Sequence, residues 1–163
     1  MNRLIQISML LCALSFSATT IAVKNVKSTV LAEQEKESLS NYITSELNKV
    51  SGDDKVMAWS DVAEMLTHLG QTEKIANLTT DSEVGDCLSD KCFAELGGAL
   101  GIDKILVTDI GEFGANLVVN MRIIDLSRAE SKLRSSKVVT NGVEGVLSAI
   151  PELLTGLGYT EST

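Results

Sequence analysis

The stretch "LVVNMRIID", Leu117 to Asp125, limits the possible folds more than any other part of the chain. Leu117, Val119, Met121 and Ile123 alternate with Asn120 and Arg122, a period of two that belongs to a strand with one apolar and one wet face. Such alternation predicts an antiparallel sheet covered on one face only. The stretch lies within "DKILVTDIGEFGANLVVNMRIIDLSRAESKLRSSKVVTN", which reads as a meander of three strands, with Gly111 and Gly114 marking the first turn. Its last strand carries Lys132, Arg134 and Lys137, charges that protect an edge from unwanted pairing.

The segments on either side supply helices for that sheet. "TIAVKNVKS" alternates apolar residues with lysine and predicts a first strand. The following "VLAEQEKESLSNYITSELNKVSG" is a helix with Leu39, Tyr42, Ile43, Leu47 and Val50 on one stripe, ended by Gly52. "DDKVMAWSDV" gives a turn and a short second strand. Asp61 and Glu64 resemble a capping box that opens a helix through Leu69, stopped by Gly70. Another helix is predicted from Ser89, with Cys92, Phe93, Leu96 and Leu100 on one face and Gly97 and Gly98 near its end. Val146, Leu147, Ile150, Leu153, Leu154 and Leu157 predict a closing helix, kinked or restarted at Pro151. The order β-α-β-α-α-β-β-β-α specifies an α+β domain, a mixed sheet ending in an antiparallel three-strand meander with helices packed on one face.

The amino terminus reads as an address. Arg3 precedes an apolar run from Leu4 to Phe16, and small residues at Ser15 and Ser17 suit a signal peptidase. Residues 1–17 are therefore expected to be cleaved, leaving residues 18–163 as a single domain, with Ala18 and Ala22 as alternative cleavage points. The run is too short for a membrane span, which needs roughly 20 apolar residues. Leu10 and Leu11 before Cys12 argue against a lipid-modified cysteine, since small residues usually precede one. The protein is expected to be periplasmic or secreted, without a membrane span in its mature form. Loss of Arg3 leaves 13 basic and 22 acidic side chains, a net charge of −9. That balance opposes nucleic acid as a partner, because nucleic-acid binding relies on basic patches.

A strand "IAVKNVKS", a long helix, the segment "CLSDKCFAELGGALGIDKILVTDIGEFGANLVVNMRIIDLSRAES" and a closing helix together resemble the TolB amino-terminal-domain family of bacterial envelope proteins. Its relatives include CsgG and LpoB. The similarity is strongest where a glycine-rich helix leads through "LGIDKILVTDIGEFG" to a strand ending in Ile-Asp and a short polar turn. The resemblance implies an anticodon-binding-domain-like α+β fold in proteins that assemble with or bind other proteins. It carries no catalytic residues and no cofactor.

The residues themselves offer little for catalysis. His68 is the sole histidine and falls late in a helix, where the dipole favours a surface cation. Asp53 and Asp54 fall in a turn, where acids are expected. Gly97 and Gly98 end a helix instead of opening one, unlike a phosphate cradle. Cys87 and Cys92 lack the C-x-x-C spacing of a redox pair and the close ligand pairs of a zinc site. In an oxidising compartment they are read as a disulfide across a helix start, against the alternative that Cys92 is simply a buried apolar residue. So short a loop would stabilise the fold by about 2 kcal/mol. No catalytic, cofactor or metal residue is assigned. The expected function is a non-enzymatic exported interaction module, an accessory or assembly factor of the cell envelope that binds envelope proteins. The competing readings are a small-molecule-binding or hydrolytic envelope protein, and a structural subunit that forms homo-oligomers.

Overall fold

The computed structural model describes residues 18–68, 100–128, 130–140 and 142–160. The expected signal peptide, the helix from Ser89, Gly97, Gly98, Cys87 and Cys92 lie outside the described residues. Within them the chain forms β1 (Thr20–Val23), β2 (Lys27–Ser28), α1 (Glu33–Val50), β3 (Lys55–Ala58) and α2 (Trp59–His68). These are followed by β4 (Lys104–Phe113), β5 (Asn116–Asp125), β6 (Glu130–Val139) and α3 (Gly142–Gly156). The strands make one mixed sheet in the order β3-β1-β4-β5-β6, with β2 also pairing to β4. β1 runs parallel to β3 and β4, and β4–β5–β6 is the antiparallel meander expected from the sequence.

The predicted first strand is broken in two. Lys24 N–H still donates to Leu106 O at 2.9 Å, but Val26 N–H donates at 2.9 Å to the buried Ser40 hydroxyl of α1. Ser40 in turn donates to Lys36 O at 2.7 Å, so both polar groups are satisfied in a buried position. The chain thus bends toward α1 and rejoins β4 at Lys27–Asp109. α1 begins where the Glu35 carboxylate accepts from Ala32 N–H at 2.9 Å, and it gives way to a left-handed Gly52. α2 starts at Trp59, two residues before the predicted cap at Asp61, because β3 passes straight into it without a loop.

Two apolar cores lie on opposite faces of the sheet. Ile21, Val23, Leu106, Ile110, Val119, Met121 and Ile123 pack under α1 and α3. Their sequence neighbours Ala22, Ile105, Val107 and Ile124 point the other way, against Trp59, Val62 and Leu66 of α2. The expected packing on one face is therefore the arrangement of α1 and α3, while α2 takes the reverse face near β1 and the start of β4. The alternation of "LVVNMRIID" holds until Ile124, where this second core makes consecutive residues buried.

α3 is one helix that includes Pro151. It crosses the meander closely. A Cβ at Gly156 would lie 2.5 Å from Ser135 Oγ of β6, and one at Gly145 would lie 1.8 Å from Thr140 O in the turn that leads into the helix. The hairpin between β4 and β5 is a two-residue loop, Gly114–Ala115, with Gly114 at φ +63°. Gly111, expected in this turn, lies within β4 instead.

Candidate functional site

Among the described residues, those with the strongest claim to chemistry, His68 and Asp54, lie apart on different elements. His68 is the last residue of α2, exposed, with Nε2 3.7 Å from the equally exposed Glu64 carboxylate. Asp54 belongs to the α1–β3 turn, where its carboxylate accepts from Thr19 N–H at 3.1 Å. It also faces the chain's far end: burial first, and then the Asp54 charge, push the Tyr159 hydroxyl up to about 12. Both interactions link the turn to segments distant in sequence. Among the described residues, no three His, Cys, Asp or Glu side chains gather as a metal site, and no helix is long and apolar enough to cross a membrane.

A continuous feature appears instead on the reverse face of the meander, beyond the reach of α2. Strand register sorts it into three rows that cross the sheet. The first joins Gly111, Val118 and Val138, with Phe113 diagonal to Val118 at the hairpin tip. Phe113 is 73% exposed and Val138 57%. The second row runs Lys27, Asp109, Asn120 and Ser136 across four strands. Ser136 Oγ donates to Asn120 Oδ1 at 2.7 Å, leaving the Asn120 amide N–H groups directed elsewhere. The third row sets Arg122 directly opposite Arg134. Arg122 approaches Asp109 only at 3.9 Å, and its Nε is buried with no hydrogen-bond partner among the described residues. Rows lie about 7 Å apart, two residues along a strand.

The sequence pointed Arg122 and Asn120 away from the core, and assigned Arg134 to a charged edge. It did not reveal that the two arginines are neighbours. Asp125 pairs with Glu130 and Ile124 with Ser131, so simple counting would put Leu133 opposite Arg122. The register shifts between Ile123 and Ile124, leaving Lys132 without a partner and moving Arg134 onto the open face. Upstream of the shift, the turn is fixed by the Asp125 carboxylate, which accepts from Ser127 N–H at 3.0 Å and from its hydroxyl at 2.6 Å. A one-residue bulge leaves no compositional mark, which is why the pairing was illegible.

Two shallow grooves flank α3 on the other side of the sheet. One of about 440 Å³ separates the start of α1 from Val143 and Leu147. The other, about 340 Å³, follows the outer edge of β6 past Glu144 and Ser148. Lys137 of that edge is paired with Glu152 of α3.

No protein-family model matches the sequence, and no curated protein is significantly similar to it. Solved structures are similar in fold. The lipoprotein GNA1162 from Neisseria meningitidis superposes with a TM-score of 0.55 at 14% identity, over 84% of this chain and 94% of that one. The PelC dodecamer from Paraburkholderia phytofirmans gives 0.54 at 13% identity, over 88% and 90% respectively. The LpoB C-terminal domain from Escherichia coli gives 0.51 at 12% identity, over 76% and 84%. At the level of fold the resemblance drawn from the sequence holds: this chain has the α+β fold shared by LpoB, PelC and GNA1162.

Proposed function

We propose that this protein is a non-enzymatic interaction module of the bacterial cell envelope, exported and acting as an accessory to an assembly of other envelope proteins. The observation that carries the reading is the reverse face of the meander. Phe113, Val138, Asn120, Ser136 and Arg134 are exposed there, on a sheet whose opposite face packs under α1 and α3. Exposed valine and phenylalanine beside arginine are the composition of a protein-binding surface, where aromatic and arginine side chains supply most of the binding energy. The fold shared with a lipoprotein, with LpoB and with PelC supports an envelope setting. The amino-terminal segment 1–17 fits export.

A photoreactive amino acid in place of Val138 tests the reading in living cells. Discrete protein adducts are expected from Val138, and none from the same amino acid at Glu37, an exposed position on α1. Absence of adducts at Val138 would contradict it. One observation favours a second reading, a homo-oligomer: PelC, similar in fold, is a dodecamer. Sedimentation of the purified chain separates the two, since a ring of copies sediments far faster than one 17.4 kDa chain.

A further inference from the structure

Arg122 and Arg134 are directly opposed on neighbouring antiparallel strands. Side chains in such a pair have their Cβ atoms roughly 4.5–5.5 Å apart, and like charges there disfavour the fold. The nearest acid, Asp109, stands 3.9 Å from the Arg122 guanidinium and lies opposite Lys27 in the neighbouring strand pair. Arg134 is exposed, with no acidic partner among the described residues. Arg122 keeps a buried Nε–H unpaired. Two arginines at directly opposed positions of the open face are suited to a carboxylate that bridges their guanidinium groups.

We infer that Arg122 and Arg134 form a carboxylate-binding pair, and that the occupant of the open face is an extended segment of another protein carrying an acidic residue at one end and a β-branched or aliphatic residue at the other. This deepens the proposed function and rests on it. The spacing favours an extended occupant: alternate residues of a strand are about 7 Å apart, the separation of the three rows. Its acid meets the arginine row, a polar residue meets Asn120 and Ser136, and an apolar residue meets Val118, Val138 and Phe113. The apolar row distinguishes a protein from a polyanion, which would leave those residues uncovered. A second copy of this chain is disfavoured by its net charge of −8, which repels like molecules over the rest of their surfaces.

The test uses the full chain, isotope-labelled for NMR, with the peptide acetyl-Val-Thr-Asn-Thr-Glu-Thr-amide, its reversed sequence, and versions of both with glutamine in place of glutamate. One acidic peptide should shift the Arg122 and Arg134 Nε–H signals and bind at least 10-fold more tightly than its glutamine version. Arg134→Gln should abolish that preference while leaving the melting temperature unreduced. Arg134→Glu, with the fold checked in the same spectra, should bind a lysine version of the peptide better than the glutamate one. Equal binding of acidic and neutral peptides, or no binding of either, would overturn the inference. So would binding of phosphatidylglycerol vesicles in place of the peptides, or self-association of the chain that disappears in Arg134→Gln. Adducts at Val138 that persist unchanged in Arg134→Gln would overturn the carboxylate pair and leave the interaction module standing. Absence of adducts in the parent would remove the module itself.

Discussion

On the side of β4–β6 that faces α1 and α3, Leu106, Val119, Met121 and Ile123 are at most 2% exposed. On the reverse side of the same strands, one residue away in sequence, Asn120 is exposed and Val138 is 57% exposed. Both sides contain β-branched residues, so strand propensity does not separate them. The difference lies in what covers each side. Two helices cover the first, one of them approaching β6 closely at Gly156, whereas on the second side Trp59, Val62 and Leu66 of α2 share a core with Ala22, Ile105, Val107 and Ile124. Phe113 and Val138 of the open half are largely exposed, which leaves them free for another role.

The register of β6 is the point at which this division is most easily broken. Inserting one residue between Leu133 and Arg134 would move the rest of β6 by one position against β5 and exchange the faces of the strand beyond it. Arg134, Ser136 and Val138 would turn toward α3, while Val139 would leave the core. The expected result is loss of cooperative thermal unfolding, measured by circular dichroism. A two-state transition near the parent's temperature would show that register does not define the two faces.

Truncations sharpen the contrast. Leu106→Ala, in the sealed core, should cost about 3 kcal/mol in urea unfolding. Val138→Ala, on the open face, should cost less than about 0.5 kcal/mol. Comparable losses would mean that the open face is part of the folding core. The sealed side also contains one flaw. Thr108 is fully buried in line with Leu106 and Ile110, and its hydroxyl has no hydrogen-bond partner among the described residues. Thr108→Val keeps the shape and removes the unpaired group, so it should stabilise the protein by about 1 kcal/mol. A destabilising result would reveal a partner for that hydroxyl.

A smaller effect comes from the rim of the sealed core, where Tyr159 packs. Its hydroxyl is raised from 10.0 to about 12 by burial and by Asp54. Below pH 10 both folded and unfolded chains keep the proton, and the neutral form's stabilisation is fully present. Between pH 10 and about 12 the unfolded chain releases it first, so stability falls as pH rises. Tyr159→Phe should flatten the fall in urea midpoint across that window. An unchanged slope would place the hydroxyl in water.

Much of this division was legible in the sequence. The meander announced itself because apolar alternation repels the wrong register on the sealed side, and the stripe from Leu39 to Val50 likewise fixed the buried face of α1. Other features are decided by contacts distant in sequence. The break between β1 and β2 depends on a hydrogen bond from Val26 to Ser40, and the second core gathers Trp59, Val62 and Leu66 of α2 with Ala22, Ile105 and Ile124 from strands distant in sequence. The arginine pair depends on one bulged residue in a strand whose polar composition tolerates either register. The disulfide read from Cys87 and Cys92 falls outside the described residues.

One variant, Arg134→Gln, tests most directly whether the open face is held for binding at the expense of folding. It removes a like-charge opposition worth a few tenths of a kcal/mol. Its urea midpoint and its crosslinking at the Val138 position should be measured together. The expected result is a midpoint equal to or slightly above the parent's, with the Val138 adducts lost. A lower midpoint with adducts retained would contradict it, making Arg134 a structural residue and the face a passive surface.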